Sequence, residues 1–278
     1  MCIRDSIDGE QAYKIYGNIG ELDYLSFGIK ENRYSEDGTM ISLGEIDMRD
    51  MEIENSGDFI LHLGGAETSK NYLPMPKSAN MLIVRQTYKN RIKQTHAKIN
   101  IKNLDSKPIP EILTTEKLEN QLNQTLAFVS GTASTFLKWV NEFKLNHKNS
   151  LPLGDQSFFQ AAGGDPKICY LHGYYEFNED ECLQITTDIP ECEYWNFQLE
   201  NNWMESLDYR FYPIHLNSHT ADLDENEFII HVTHEPLDAK NNIITCGREN
   251  GAMLLRWIGA NEQTIPNVKI VKIDKLND

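Results

Sequence analysis

Two carboxylates, a cluster of aromatic side chains and two arginines carry most of the chemistry this chain can offer. In the stretch from Tyr194 to Arg210, Glu205 and Asp208 lie three residues apart among Trp203, Tyr209 and Arg210. Paired carboxylates in a cleft can pass a proton, so Glu205 and Asp208 are the candidate acid and base. A charged loop face would look the same in sequence. Arg85 and Arg256 each sit in an otherwise apolar run, where a guanidinium needs a carboxylate or a ligand anion as partner. Pairing with Asp208 or Asp222 is the structural expectation, and clamping a ligand's carboxylate or sulfate is the functional one. Trp203, in a polar turn, is the better candidate for a pocket wall, because Trp195 and Trp257 fit core packing equally well.

Histidines give a weaker signal. His215 and His219 are four apart and His231 and His234 three apart, a spacing that puts the second pair on opposite faces of a strand. No metal site is expected from them, and no cofactor. Gly163-Gly164-Asp165-Pro166 lacks the lysine and following helix of a phosphate loop and reads as a turn. There is no Gly-x-Ser-x-Gly motif. Asn217 and His231 join Trp203, Tyr209, Arg210, Arg256 and Arg85 as candidate ligand contacts.

The elements that must position these residues are mostly strands. Trp195, Phe197 and Leu199 alternate with Asn196, Gln198 and Glu200, the period of a half-buried strand. Similar runs occur at 12–16, 24–29, 39–43, 59–63, 82–88, 97–101, 168–175 and 182–187, separated by turn signals such as Asp37-Gly38 and Ser56-Gly57-Asp58. This spacing predicts a mainly β protein of sandwich or jelly-roll type rather than a βαβ fold. The middle changes period. Thr115 can cap a helix bearing Leu118, Leu122, Leu126 and Val129 on one stripe, Gly131 interrupts it, and a second helix from about Ser134 carries Phe136, Val140 and Phe143. A pair of helices bracing a sheet is the expectation.

Composition narrows the partners. The 278 residues carry a net charge of -16, with a pI near 4.9, which opposes binding to nucleic acid or an anionic membrane. No apolar run approaches the ~18 residues of a membrane span. The five cysteines form no CxxC pair, as expected of reduced thiols in a cytoplasmic protein. Met1-Cys2-Ile3-Arg4-Asp5-Ser6 resembles a linker-derived leader on translated environmental reads. Residues 1–8 are therefore set aside as non-native, and the natural N-terminus, with any signal on it, is expected to be missing.

Internal similarity is the strongest organisational signal. Tyr24 to Ile29 aligns with Tyr194 to Leu199 at an offset of 170 residues, and Phe59 to Leu63 with Phe228 to Val232 at 169. Lys70-Asn71 aligns with Lys240-Asn241 at 170, and Met81 to Arg85 with Ala252 to Arg256 at 171. An offset that stays within one residue of 170 across four blocks predicts duplication. It makes Arg85 equivalent to Arg256 and His62 to His231. The expected layout is a β unit over 9–113, a helical insertion over 114–150 and a second β unit over 151–278.

Tyr194-Trp195-Asn196-Phe197-Gln198-Leu199, Asn202-Trp203-Met204-Glu205-Ser206-Leu207-Asp208-Tyr209-Arg210, His215-Leu216-Asn217 and Leu255-Arg256-Trp257 with Pro266 together resemble bacterial proteins containing the domain of unknown function 1214. The resemblance runs from about Gln11 to the end. It implies a β-sandwich or jelly-roll fold and, from the gene surroundings of such proteins, a link to the breakdown of steroids or other hydrophobic compounds, with no assigned activity. This chain departs from the family's Asn-Trp-Leu-Asp-Thr, reading Asn241-Asn242-Ile243-Ile244-Thr245, so no role is carried over for that Trp and Asp.

Three functional readings follow. The first is a protein binding a hydrophobic, partly anionic small molecule between the two β units. The second is a lyase, isomerase or hydrolase acting on such a compound. The third is a subunit of a homo-oligomer that covers exposed strand edges.

Overall fold

The computed structural model of the chain describes residues 2–67, 69–105 and 112–276, the first five as backbone only. Two compact units are present: Met1–Gly131 with Gln160–Gly163, and Thr132–Phe159 with Gly164–Asp278. The division falls inside a helix, so the expected separate helical insertion is shared between the units.

The first unit contains β1 (Cys2–Ser6), β2 (Tyr13–Asn18), β3 (Tyr24–Arg33), β4 (Thr39–Asp47), β5 (Asp58–Leu63), β6 (Tyr72–Leu73), β7 (Met81–Thr87) and β8 (Lys98–Asn103). Helices α1 (Thr115–Asn146) and α2 (Gln156–Ala161) follow. The second unit then adds β9 (Ile168–Glu176), β10 (Glu181–Asp188), β11 (Tyr194–Leu199), β12 (His215–Asn217), β13 (Glu227–Thr233), β14 (Asn242–Ile244), β15 (Asn250–Ile258) and β16 (Asn267–Lys272).

The strand orders repeat. The first unit has sheets β1-β7-β3-β4 and β6-β5-β2-β8, and the second has β9-β15-β11-β12 and β14-β13-β10-β16. Each strand of the second unit takes the place of the one eight earlier. Pairing is antiparallel except between β5 and β6 and between β13 and β14. Inward residues of both sheets share one core per unit. In the second unit Trp195, Phe197 and Leu199 of β11 meet Phe228, Ile230 and Val232 of β13, with the Trp195 and Phe228 rings stacked at 4.4 Å. The chain is thus mainly β, with two duplicated units of sandwich type.

The repeat extends to single hydrogen bonds. Asn71 donates to the carbonyls of Glu52 and Ile60 and accepts from the Glu52 N–H. Asn241 donates to those of Asp222 and Ile229 and accepts from the Asp222 N–H. The backbone carbonyls of the two asparagines accept from the His62 and His231 N–H groups, so the two histidines are equivalent, as the offset predicts. The preceding lysines reach Glu52 at 2.6 Å and Asp222 at 3.9 Å. The repeated Lys-Asn is therefore a clamp on the loop before β5 and β13.

Where two helices were expected there is one. α1 runs through Gly131, because a helical glycine costs only ~1 kcal/mol relative to alanine and does not end a helix by itself. Gly131 has a packing reason: a Cβ there would lie 2.2 Å from the Tyr34 carbonyl oxygen. Thr114 rather than Thr115 accepts the capping bond, from the Lys117 N–H. Trp139, Val140 and Phe143 are buried, whereas Leu118, Leu122, Leu126 and Val129 are exposed, so only the second half of α1 braces a sheet. Residues 2–6, set aside as a leader, form an edge strand on β7.

Two outcomes test this description. Gly131→Ala, which stabilises an ordinary helix by ~1 kcal/mol, should destabilise this protein in urea unfolding. Asn71→Ala and Asn241→Ala should each cost about 1–3 kcal/mol in the same assay, since each strands several backbone groups.

Candidate functional site

On β9, β15 and β11 the residues that do not face the second core form a polar surface. Strand alternation places Tyr170 and His172 of β9, Leu254 and Arg256 of β15, and Asn196 and Gln198 of β11 on it, with Glu200 immediately after β11. The aromatic residues of α1 and α2 pack on its β9 side. His172 lies 5.0 Å from the Phe143 ring, 5.9 Å from Trp139 and 4.6 Å from Phe159, and stacks on Tyr170 at 6.1 Å.

Arg256 sits mid-sheet between Asn196 and Tyr170 in the strand register. It is half-buried, and its one hydrogen bond among the described residues runs from Nη1 to Asn196 Oδ1 at 3.0 Å. Glu200 is only 3% exposed. Its Oε1 accepts from Gln198 Nε2, and its Oε2 has no partner. The chain reaches this depth because Glu200 N–H bonds the Ala252 carbonyl, and because a Cβ on Gly251 would lie 2.4 Å from the Glu200 carbonyl oxygen.

Burial raises the Glu200 pKa, with the Arg256 charge and the Gln198 bond opposing it. His172 is pushed down to about 3, by burial first and then by the charges of Arg256 and His147, and its Nδ1 is unpartnered. A carboxyl that favours its proton, a neutral imidazole and a guanidinium with spare donors therefore share one face. Such a set can hold an anion and can donate or accept a proton.

The first unit builds the same position differently. Lys30 stands where the second unit has Glu200, and Glu45, opposite Gly28, stands where it has His215, opposite Gln198. Fully buried Lys30 bonds Glu45 and, at 3.0 Å, Ser42 Oγ. Arg85 lies 3.4 Å from Glu45 and donates to the Gly163 carbonyl at 2.7 Å. Both cations of this cluster thus share the one Glu45 carboxylate.

The structure separates the residues proposed from sequence. Arg256 belongs to this face, and Arg85 to the closed cluster. Neither arginine pairs with Asp208 or Asp222 as expected, since Arg85 takes Glu45 and Asp222 takes Lys240. Asp208 is held by Arg210 in two bonds of 2.9 and 2.8 Å, which lower its pKa. Glu205 is exposed and accepts from Asn201 Nδ2. Glu205 and Asp208 thus form a solvent-facing loop rather than a buried acid–base pair. Trp203 is 50% exposed and Tyr209 40% on that loop, and Arg210 lies over the Phe211 ring. Asn217 is buried, its Oδ1 accepting from the N–H groups of His219 and Thr220 to hold a turn. His231 bonds Gln184 and the Lys240 carbonyl.

Glu200, His172, Gln198 and Asn196 escaped sequence reading. The polar half of an alternating strand normally faces water, and nothing local says that a helix distant in sequence will cover it. Elsewhere, a shallow cleft of about 370 Å³ in the first unit includes His62, Ser69, Asn71 and Glu52. Those groups bond one another or the Lys-Asn clamp. Among the described residues no three His, Cys, Asp or Glu side chains are grouped closely enough to hold a metal ion, and no helix is long and apolar enough to cross a membrane.

Two repeated sandwiches, one with a buried ion cluster and one with a largely buried polar face, define a duplicated mainly β protein. Its sequence is 33% identical to an uncharacterized protein from Burkholderia cenocepacia of known structure, over 99% of this chain and 77% of that one, with a TM-score of 0.94. The chain belongs to that protein's family. The VPA0106 protein from Vibrio parahaemolyticus shares the fold, with a TM-score of 0.57 and 11% identity over 98% of this chain and 89% of that one. No family model and no curated protein matches the chain.

The two buried ionisable groups predict opposite pH behaviour. A raised Glu200 pKa gives stability that is present below the ordinary carboxyl range and lost as pH rises. Glu200→Gln should therefore be more stable than the native chain at pH 7, with the advantage vanishing below about pH 4. A depressed His172 pKa gives stability that is present above the ordinary histidine range and lost as pH falls toward 3. His172→Phe should flatten that acid limb. Urea unfolding across a pH series reads both.

Proposed function

We propose that the second unit binds a hydrophobic small molecule carrying a carboxylate or similar anion on the face of Arg256 and Glu200. One observation carries the reading: among the described residues Arg256 has a single hydrogen bond, to a neutral amide, while the Glu200 carboxyl on the same face keeps an unpartnered oxygen. Left without a ligand or water, such groups cost ~1–3 kcal/mol or more each. Arg256 is the anchor, Asn196 orients it, and Glu200 in its protonated form donates to a second ligand oxygen. Trp139 and Phe159, themselves almost fully buried, form an apolar wall against His172 of that face. The resemblance to proteins with the domain of unknown function 1214, and through it to the handling of hydrophobic compounds, points the same way.

An enzymatic reading is favoured by one detail, the raised proton affinity of Glu200. In that reading Glu200, not Glu205 or Asp208, carries the proton.

A thermal-shift comparison of octanoate with octanamide tests the binding proposal. Octanoate should raise the melting temperature of the native protein, the amide should do so less, and Arg256→Gln should abolish the difference. Arg85→Gln should leave it in place. Equal effects of acid and amide would reject Arg256 as an anion anchor.

A further inference from the structure

One buried group on the face of Arg256 has no task in anion binding. His172 is 4% exposed, and its Nδ1 has no hydrogen-bond partner. The ring lies parallel to Phe143 at 5.0 Å and to Tyr170 at 6.1 Å, with Trp139 and Phe159 packed beside it. These contacts fix the directions of its nitrogens. Packing alone does not call for a histidine here, because phenylalanine would make the same ring contacts without stranding a polar atom.

The neighbouring polar groups are already engaged. Tyr170 Oη accepts from the Asp165 N–H, Tyr174 Oη donates to Asn250 Oδ1, and Gln198 Nε2 donates to Glu200 Oε1. Two orphaned buried atoms are left on the face, His172 Nδ1 on β9 and Glu200 Oε2 after β11, with Leu254 and Ala252 of β15 between them. Arg256 lies diagonally across from His172, since Tyr170 is its direct partner in the register and Leu254 is that of His172. Diagonal neighbours on antiparallel strands are about 7–8 Å apart, and the Arg256 charge acts on the imidazole. A ligand whose carboxylate is held by Arg256 therefore passes within a few bonds of His172. A neutral imidazole nitrogen donates in one tautomer and accepts in the other. A hydroxyl matches either, a carbonyl only the first, and a methylene neither.

Resting on the anion anchor proposed above, we infer that the ligand is a hydroxylated hydrophobic acid: its carboxylate sits on Arg256 and a hydroxyl a few carbons away bonds His172 Nδ1. His172 is then the residue that selects hydroxylated from plain acids. The apolar floor of Leu254 and Ala252 takes the carbons between the two polar groups.

Calorimetric titration of the full chain at pH 7 with octanoate and with each enantiomer of 3-hydroxyoctanoate tests this. One enantiomer should bind the native protein roughly tenfold more tightly than octanoate. His172→Phe, which keeps the ring and removes both nitrogens, should bring the two acids to equal affinity, whatever it does to octanoate itself. His172→Gln, which supplies a donor and an acceptor, should retain part of the ratio. Arg256→Gln should weaken both acids, and urea unfolding checks that each variant is folded. Octanoate binding without gain from either hydroxyl, or a gain unchanged in both His172 variants, would overturn this inference and leave the anion anchor standing, with water on His172. No binding of any acid, or unchanged affinity in Arg256→Gln, would overturn the anchor and this inference with it.

Discussion

The second unit turns on a balance between the desolvation of Glu200 and the charge of Arg256. Taking an ionised carboxylate out of water costs several kcal/mol even after relaxation, and a nearby guanidinium offsets this fully only through close, well-aligned bonds. Here those bonds go elsewhere: Arg256 bonds Asn196, and Glu200 bonds Gln198. Burial therefore raises the affinity of the carboxyl for its proton. Its surroundings serve this arrangement. Gly251 lets the chain approach closely at Glu200, Phe143 and Phe159 pack on His172, and burial holds His172 neutral, so it adds no second positive charge beside Arg256.

Duplication shows which parts of the fold are scaffold. Strand order, the Lys-Asn clamp and the mid-sheet arginine recur in both units. What differs is the charge around the arginine. In the first unit a buried lysine and a glutamate close the cluster, and Arg85 is spent on Glu45 and the Gly163 carbonyl. In the second, the lysine's place is taken by a glutamate and the glutamate's place by a histidine. The exchange leaves the arginine without an ion-paired carboxylate among the described residues. One copy of the unit thus holds an internal ion cluster while the other carries a polar face without one on the same strand order.

Much of the scaffold was legible in the sequence. β11 begins and ends where the alternation of Trp195, Phe197 and Leu199 places it, and the offset of about 170 residues anticipated the repeated sheets. Of the strands not read, β6, β12 and β14 are two or three residues long and too short to show a period, and β1 lies in the residues set aside as a leader. Gly131 read as a helix end because a glycine demanded by a neighbouring carbonyl looks the same in sequence as one that breaks a helix. Of the site, Arg256 was legible, since a charge in an apolar run is anomalous locally. Glu200 was not, since it stands in the polar half of the alternation and only the fold buries it. The exposed loop of Glu205 and Asp208 attracted attention for residue types that, in the fold, pair locally and face water.

The protonation state of Glu200 is the most direct test. Carbon-13 NMR of the glutamate side-chain carboxyls, followed through a pH titration, reads each group separately, and Glu200→Gln assigns the relevant signal. The account predicts one carboxyl titrating clearly above all other glutamates, absent in Glu200→Gln and shifted further up in Arg256→Gln, where the opposing charge is gone. A Glu200 signal that titrates with the surface glutamates would contradict it, because a carboxylate ionised at that depth would have to be fully paired.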